Sequence, residues 1–133
     1  MKKTKTILDK NESKRYLANA KELLHKSPVE GTSYSDIKYV REACSTAYMA
    51  MLIAIDNYLL GRGVVPKNLP DSVDGYRAML RKYASVHNGK LLKDFDSLYD
   101  ELHIAGYYKG LLKHVTVLNV IFKETESFIK RLN

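Results

Sequence analysis

Basic side chains at helical spacing are the first residues in this chain that could do chemistry. Arg77 and Arg81 are one helical turn apart, and Lys82 follows directly. Such a cluster predicts salt-dependent contacts with phosphate groups, without reading of a base sequence. The net charge of +7, from 22 basic and 15 acidic residues, favours the same polyanionic partners. We therefore expect these three residues to form a ligand-binding patch for an RNA or a nucleotide.

A pair of tyrosines, Tyr107 and Tyr108, is the second candidate for ligand binding. The pair lies between two glycines in the segment LHIAGYYKG. An exposed tyrosine ring can stack on an unpaired base, whereas a tyrosine at an apolar helix position packs its ring in the core. Neighbours on a helix cannot both face inward, so both roles stay open for this pair. For Tyr76 and Tyr83, which recur with apolar residues at helical spacing, core packing is the favoured interpretation.

Metal and nucleophile chemistry finds little support in the sequence. The four histidines lie on separate segments outside any compact metal-binding spacing, so we predict no metal and no other cofactor. Cys44 falls on an apolar stripe with nothing beside it to lower its pKa, which indicates a small buried hydrophobe. The carboxylates between Asp94 and Glu101 are typical of a solvated helix face. No glycine-rich phosphate loop or nucleophile elbow is present in the sequence.

The elements that would position these residues are all helical. From Tyr34 to Arg62 the pattern predicts one long helix that is apolar on several faces, with a second stripe made of alanines. A helix of that kind must be surrounded by others. We therefore predict an all-α fold, an up-and-down four- to five-helix bundle with a long central second helix. The other helices are expected over residues 11–26, from Asp71 or Ser72, from Lys90 and from Leu111.

One domain accounts for the whole length. We expect residues 1–10 to be a basic flexible N-terminal tail and residues 11–133 to be a single helical-bundle domain. The basic start is not followed by an apolar stretch, so no secretory signal is predicted and a cytoplasmic location is expected. The uncharged run from Ala43 to Ile55 is shorter than the roughly 20 residues of a membrane span. We accordingly predict no membrane association.

The chain resembles the HEPN superfamily of small helical bundles, in its uncharacterised single-domain branch. Three features carry the resemblance: the alanine-rich second helix REACSTAYMAMLIAIDNYLLGRG, the proline loop followed by shorter helices, and LHIAGYYKG leading into the last helix. The similarity covers nearly the whole chain. It implies a four- or five-helix bundle that is usually a dimer. Members are either metal-independent ribonucleases with an Arg-x(4-6)-His motif or non-catalytic partners of minimal nucleotidyltransferases.

The ribonuclease motif has one match in this chain, Arg81 with His87. The resemblance implies that such a histidine acts as acid or base on a ribose hydroxyl while the arginine stabilises phosphate charge. In the family the motif lies near the start of the final core helix, where this chain has Lys109 and His114 instead. Because a lysine lacks the planar fork of an arginine, the change argues against a nuclease.

We therefore expect a non-catalytic HEPN-like binding module and homodimer. Its ligand would be a nucleotidyltransferase partner or a nucleotide-bearing molecule. Two alternatives remain open: a metal-independent ribonuclease of toxin type, which would have an antitoxin partner, and a simple RNA-binding protein that uses the basic patch.

Overall fold

Helices dominate the computed structural model, which describes residues 11–84 and 89–133. In chain order they are α1 (Glu12–His25), α2 (Ile37–Gly61), α3 (Val73–Tyr83), α4 (Lys90–Leu98), a π-helix (Tyr99–Tyr108) and α5 (Val115–Leu132). A small antiparallel hairpin, β1 (Val29–Glu30) and β2 (Ser33–Tyr34), connects α1 to α2, and a 3-10 turn (Pro66–Asn68) lies between α2 and α3. The predicted all-α helical bundle is confirmed. The predicted N-terminal tail lies outside the described residues.

The long helix α2 is the centre of the bundle, as predicted. Its four stripe alanines, Ala43, Ala47, Ala50 and Ala54, are completely buried. It packs against α1, the π-helix and α5. The helix starts at Ile37, three residues later than predicted, because Asp36 is the N-cap and accepts a hydrogen bond from the Lys38 amide at 3.2 Å.

Length and composition alone would let α2 cross a membrane, and no other helix in the described ranges passes that test. Most of its apolar window is buried inside the bundle. A core helix of a folded domain has the same composition, since it must be apolar on several faces.

The link between α1 and α2 forms the β1–β2 hairpin, and its backbone bonds determine where the last helix begins. The Tyr34 amide donates to the Lys113 carbonyl at 2.7 Å, and the Val115 amide donates to the Thr32 carbonyl at 2.9 Å. These bonds hold residues 111–114 alongside the hairpin rather than in a helix. The closing helix therefore starts at Val115 and not at the predicted Leu111, whose side chain is 64% exposed.

Two glycines in LHIAGYYKG have different structural roles. A Cβ atom added at Gly106 would lie only 2.6 Å from the Cys44 sulfur of α2, so this glycine permits close contact between the π-helix and α2. Gly110 has a φ of +62° and ends the helical segment with a turn. Cys44 is buried as predicted, and burial raises the pKa of its thiol to about 12.

Candidate functional site

A ladder of aromatic rings runs from α3 along α4 and the π-helix. Its successive members are Tyr76, Phe95, Tyr99, His103 and Tyr107. Neighbouring ring centroids are between 5.5 and 6.5 Å apart, and the angles between ring planes are 28° or less. These values are typical of offset stacking. We call this set the aromatic ladder.

The π-helix keeps the rings of the aromatic ladder in line. Four members, from Phe95 to Tyr107, recur every fourth residue. In an α-helix a step of four exceeds one turn by about 40°, so rings at that spacing gradually rotate away. The wider π-helical turn, with the Lys109 amide donating to the Ile104 carbonyl five residues back, makes the same step fall short of a turn. The two angular offsets have opposite signs, so they partly cancel along α4 and the π-helix.

One end of the aromatic ladder is fixed in the core. The Tyr76 hydroxyl donates to both carboxylate oxygens of Asp56, at 3.0 and 3.2 Å. Tyr76 and Asp56 are only 5% and 2% exposed. Burial, and next the negative charge of Asp56, raise the pKa of Tyr76 well above its usual range. This end therefore holds the ladder and cannot receive a ligand.

The middle of the aromatic ladder is held by side chains from two other helices. Tyr48 of α2 packs against Tyr99 and His103, with ring centroids 5.8 and 4.9 Å apart. Burial raises the pKa of Tyr48 to about 12. The Arg77 guanidinium lies 5.3 Å over the Tyr99 ring, a distance suited to a cation–π contact.

Arg77 is also engaged by two carboxylates. Its Nε donates to Asp96 at 2.6 Å and its Nη1 donates to Asp74 at 2.9 Å. The hydrogen bonds to Asp96 and Asp74 raise the pKa of Arg77. The charge of this predicted patch residue is therefore largely balanced inside the protein, and its contacts orient Tyr99.

The other predicted patch residues on α3 stay at the surface. Arg81 and Lys82 are exposed, and the Lys82 ammonium lies 5.2 Å over the Tyr83 ring. Tyr83 is half-buried and Tyr76 is buried, in line with the favoured interpretation of core packing. His87 lies outside the described residues, so the Arg81–His87 pair has no structural description.

The opposite end of the aromatic ladder reaches solvent at the predicted tyrosine pair. Tyr107 is 42% exposed and Tyr108 is 69% exposed. Arg41 of α2 forms hydrogen bonds with the backbone of both tyrosines. Its Nε donates to the Tyr107 carbonyl at 2.8 Å and its Nη2 donates to the Tyr108 carbonyl at 2.9 Å. Lys109, also exposed, follows directly. The candidate site is thus an exposed aromatic residue whose backbone is bound by Arg41 and which Lys109 follows two positions along the chain.

Lys109 and His114, the pair that the HEPN resemblance suggested in place of the ribonuclease motif, are not joined by a polar contact in the described part of the chain. Lys109 follows the last residue of the π-helix, whereas His114 is the N-cap residue of α5 and pairs with Ser33 of β2 through the backbone. Both side chains are exposed, and no hydrogen bond or ion pair joins them in the described part of the chain.

Two of the four carboxylates on α4 and the π-helix, Asp94 and Asp96, have ion-pair partners within the described part of the chain. Asp94 forms ion pairs with Arg131, at 2.8 Å, and with the Lys90 ammonium, at 3.3 Å. Glu101 differs, because its Oε1 is buried with no hydrogen-bond partner among the described residues. Burial first, and then Glu124 and Asp100, raise the pKa of Glu101. Within residues 11–84 and 89–133, no three His, Cys, Asp or Glu side chains lie close enough to hold a metal ion.

Reasoning from the sequence missed two parts of this site. The recurrence of an aromatic ring every fourth residue from Phe95 to Tyr107 was a readable signal for the aromatic ladder. Arg41 gave no signal, because an arginine on an exposed helix position is ordinary and its partners lie more than sixty positions further along the chain.

Comparison with curated proteins gives no match. A solved structure with a similar fold is a protein of unknown function from Dyadobacter fermentans, which has 33% sequence identity and a TM-score of 0.77. The similarity covers 92% of this chain and 92% of that chain. Residues 8–133 match the family described as domain of unknown function DUF5618. This chain therefore belongs to the DUF5618 family.

Proposed function

We propose that this protein is a non-catalytic, HEPN-like binding module that holds a nucleotide-bearing ligand at the exposed end of the aromatic ladder. The observation that carries the proposal is the environment of Tyr107, which is 42% exposed and backed by the His103 ring at 5.8 Å. Every nucleobase has a flat π-face, and stacking on an aromatic side chain contributes about 1–3 kcal/mol per base. A ring already supported from behind loses little freedom when a base stacks on it.

Two cations beside Tyr107 suit the phosphate of such a ligand. The Arg41 guanidinium is oriented by its bonds to the Tyr107 and Tyr108 carbonyls, and its remaining nitrogen, Nη1, has no hydrogen-bond partner among the described residues. Lys109 adds an exposed ammonium next to the pair. Arginine donors bind phosphate through charge-assisted hydrogen bonds, and the excess of basic residues attracts anions at longer range.

The proposal includes no catalytic step. General acid–base catalysis needs a titratable group within hydrogen-bond reach of the reacting atom, together with a group that stabilises the phosphate. No hydrogen bond or ion pair joins Lys109 and His114 among the described residues, which favours binding over a ribonuclease at that pair. His87 lies outside the described residues, so the Arg81–His87 alternative is left to the cleavage assay.

The partners implied by the HEPN resemblance complete the proposal. They are a second copy of the chain and a minimal nucleotidyltransferase, with the protein in the cytoplasm and not at a membrane. A homodimer would be supported by the apolar surface of α5, where Val117 and Val120 are 43% and 50% exposed one turn apart. Light scattering at micromolar concentration tests this part, and a monomer alone would remove the dimer.

Binding and cleavage of a labelled single-stranded RNA by the full-length chain, in the absence of metal, test the central claim. We expect saturable binding, full-length RNA after prolonged incubation, and a loss of affinity of about 1–3 kcal/mol in Tyr107→Leu. Tyr16→Leu, a matched change at a half-buried tyrosine on α1, should leave affinity unchanged. Undiminished binding by Tyr107→Leu would refute this site. Cleavage that is lost in His87→Ala or His114→Ala would establish the nuclease instead.

A further inference from the structure

We infer that the exposed end of the aromatic ladder accepts one nucleotide unit at a time, a single base with its phosphate, and not a run of single-stranded nucleic acid. The inference rests on the proposed function and specifies its ligand. It follows from the number of rings that a base can reach and from the charges along the ladder.

Only one ring of the aromatic ladder is available for stacking at its end. Tyr99 has a stacked ring on each side, Phe95 and His103, and the Arg77 guanidinium lies over it as well. His103 contacts Tyr99, Tyr107 and Tyr48. Tyr107 has one ring neighbour in the described part of the chain, His103. Tyr108 is also exposed, but neighbours along a helix do not face each other, so its ring does not extend the aromatic ladder. A second base would therefore find no second platform within the ladder.

The charges along the aromatic ladder also disfavour a strand. A backbone that ran from Tyr107 towards α3 would reach Asp74 and Asp96, which balance Arg77 and are 89% and 45% exposed. Phosphates next to exposed carboxylates are repelled. Arg81 and Lys82, which have no carboxylate partner among the described residues, follow Asp74 and Arg77 along α3, so the basic surface is divided.

The cation proposed for the phosphate is bonded to the residue proposed for the base. Arg41 donates to the Tyr107 carbonyl and to the Tyr108 carbonyl, and its Nη1 has no hydrogen-bond partner among the described residues. One stacking ring and one oriented guanidinium match one base and one phosphate. Because purines present a larger π-face, we expect a purine nucleotide to bind more tightly than a pyrimidine nucleotide.

Calorimetric titration of the full-length chain with adenosine, adenosine monophosphate and oligoadenylates of increasing length tests the inference. We expect the monophosphate to bind, the nucleoside to bind more weakly, and the association constant per nucleotide to stay constant with length. The salt dependence should equal that of the monophosphate throughout, since each added strand contact would steepen the slope by about 0.7. An oligoadenylate blocked at both ends distinguishes two modes of binding. If the site takes a free nucleotide or a strand end, the block abolishes binding. If the site takes an internal unit, blocked and unblocked oligoadenylates bind equally.

Variants assign the effect to the named side chains. Tyr107→Leu should lower affinity for the monophosphate by about 5- to 150-fold, the range expected for one stacked base, while Tyr107→Phe should retain it. Arg41→Gln should weaken the monophosphate more than the nucleoside. Lys14→Gln removes an equal charge on α1 and should change neither. Circular dichroism establishes that each variant is folded.

The outcomes separate the two proposals. An association constant per nucleotide that rises steeply with length, with a steeper salt slope, would overturn the single-unit inference and leave the binding function intact. A lack of binding in every arm would overturn the proposed function. Equal weakening of nucleoside and monophosphate by Arg41→Gln would refute the assigned phosphate contact.

Discussion

Gly106 gives the sharpest test of how the π-helix is held against α2. In Gly106→Ala the new Cβ would lie 2.6 Å from the Cys44 sulfur, 2.9 Å from the Cys44 Cβ and 3.0 Å from the Glu101 carbonyl oxygen. Non-bonded heavy atoms prefer separations of about 3.5–4.0 Å, so the helices must move apart or the backbone must shift. Cys44 is completely buried and Glu101 is half-buried, so little space is available to absorb the change.

The expected net cost of Gly106→Ala is about 1 kcal/mol. Overpacking of a core costs about 1–3 kcal/mol, and the entropy that alanine removes from the unfolded chain returns about 0.4–1 kcal/mol. For a domain of this size the melting temperature should fall by roughly 3 to 5 °C. Urea unfolding followed by circular dichroism should show a lower midpoint with an unchanged slope.

A second substitution identifies the clash as the cause. Cys44→Ala removes the sulfur at 2.6 Å and by itself costs about 1 kcal/mol for the small cavity. The double variant should be more stable than the sum of the two single effects predicts, by about 1 kcal/mol. Gly61→Ala is the matched control, because no atom lies within 4 Å of a Cβ there. Strictly additive effects, or a Gly106→Ala variant as stable as the parent, would refute the close-contact explanation.

Three further predictions follow from buried titratable and hydrogen-bonded groups. Burial raises the folded-state pKa of Cys44 to about 12 from 9.0 and of Tyr48 to about 12 from 10.0, and it also raises that of Tyr76, so the folded chain holds these protons more tightly than the unfolded chain. The stability that these groups contribute is therefore complete below their pKa values in the unfolded chain and is lost as the pH rises above about 9–10. Unfolding midpoints measured from neutral to alkaline pH should fall in that range. A flat profile would contradict this prediction. Tyr76→Phe should lower stability by about 1–3 kcal/mol, because the buried Asp56 carboxylate loses a hydrogen-bond donor, whereas thermal melts of Tyr16→Phe should show little change. Glu101→Gln should raise stability at neutral pH and have little effect near pH 4. The folded-state pKa of this carboxyl is raised above 4.5, so its charged form is disfavoured at pH 7. An equal effect at both pH values would contradict a destabilising buried charge at Glu101.

Hydrophobic patterning in the sequence was sufficient for the framework of the fold. The alanine stripe of α2 predicted a helix that others approach closely, and those alanines are completely buried. Cys44 was predicted to be a buried hydrophobe from its position on an apolar stripe, and it is one. These predictions hold because the helical period and the burial of apolar surface are properties of neighbouring residues.

The boundary of the last helix depended on contacts that the local pattern does not contain. Leu111 continues the apolar spacing of α5, yet the backbone around it bonds to residues 32 and 34 of the hairpin and turns at Gly110. Tertiary hydrogen bonds therefore overrode a regular helical period over four residues.

What the sequence determined by itself is a basic, all-α bundle with an apolar central helix and an adjacent pair of tyrosines, Tyr107 and Tyr108, shortly before the last helix. What only the tertiary structure decided is which of these side chains meet. Arg77, predicted to bind phosphate, is neutralised by Asp74 and Asp96, whereas Arg41 orients the backbone at Tyr107 and Tyr108. The physical reason is that the charge state and exposure of a side chain depend on its partners across the fold, and helical spacing specifies neighbours only along one helix.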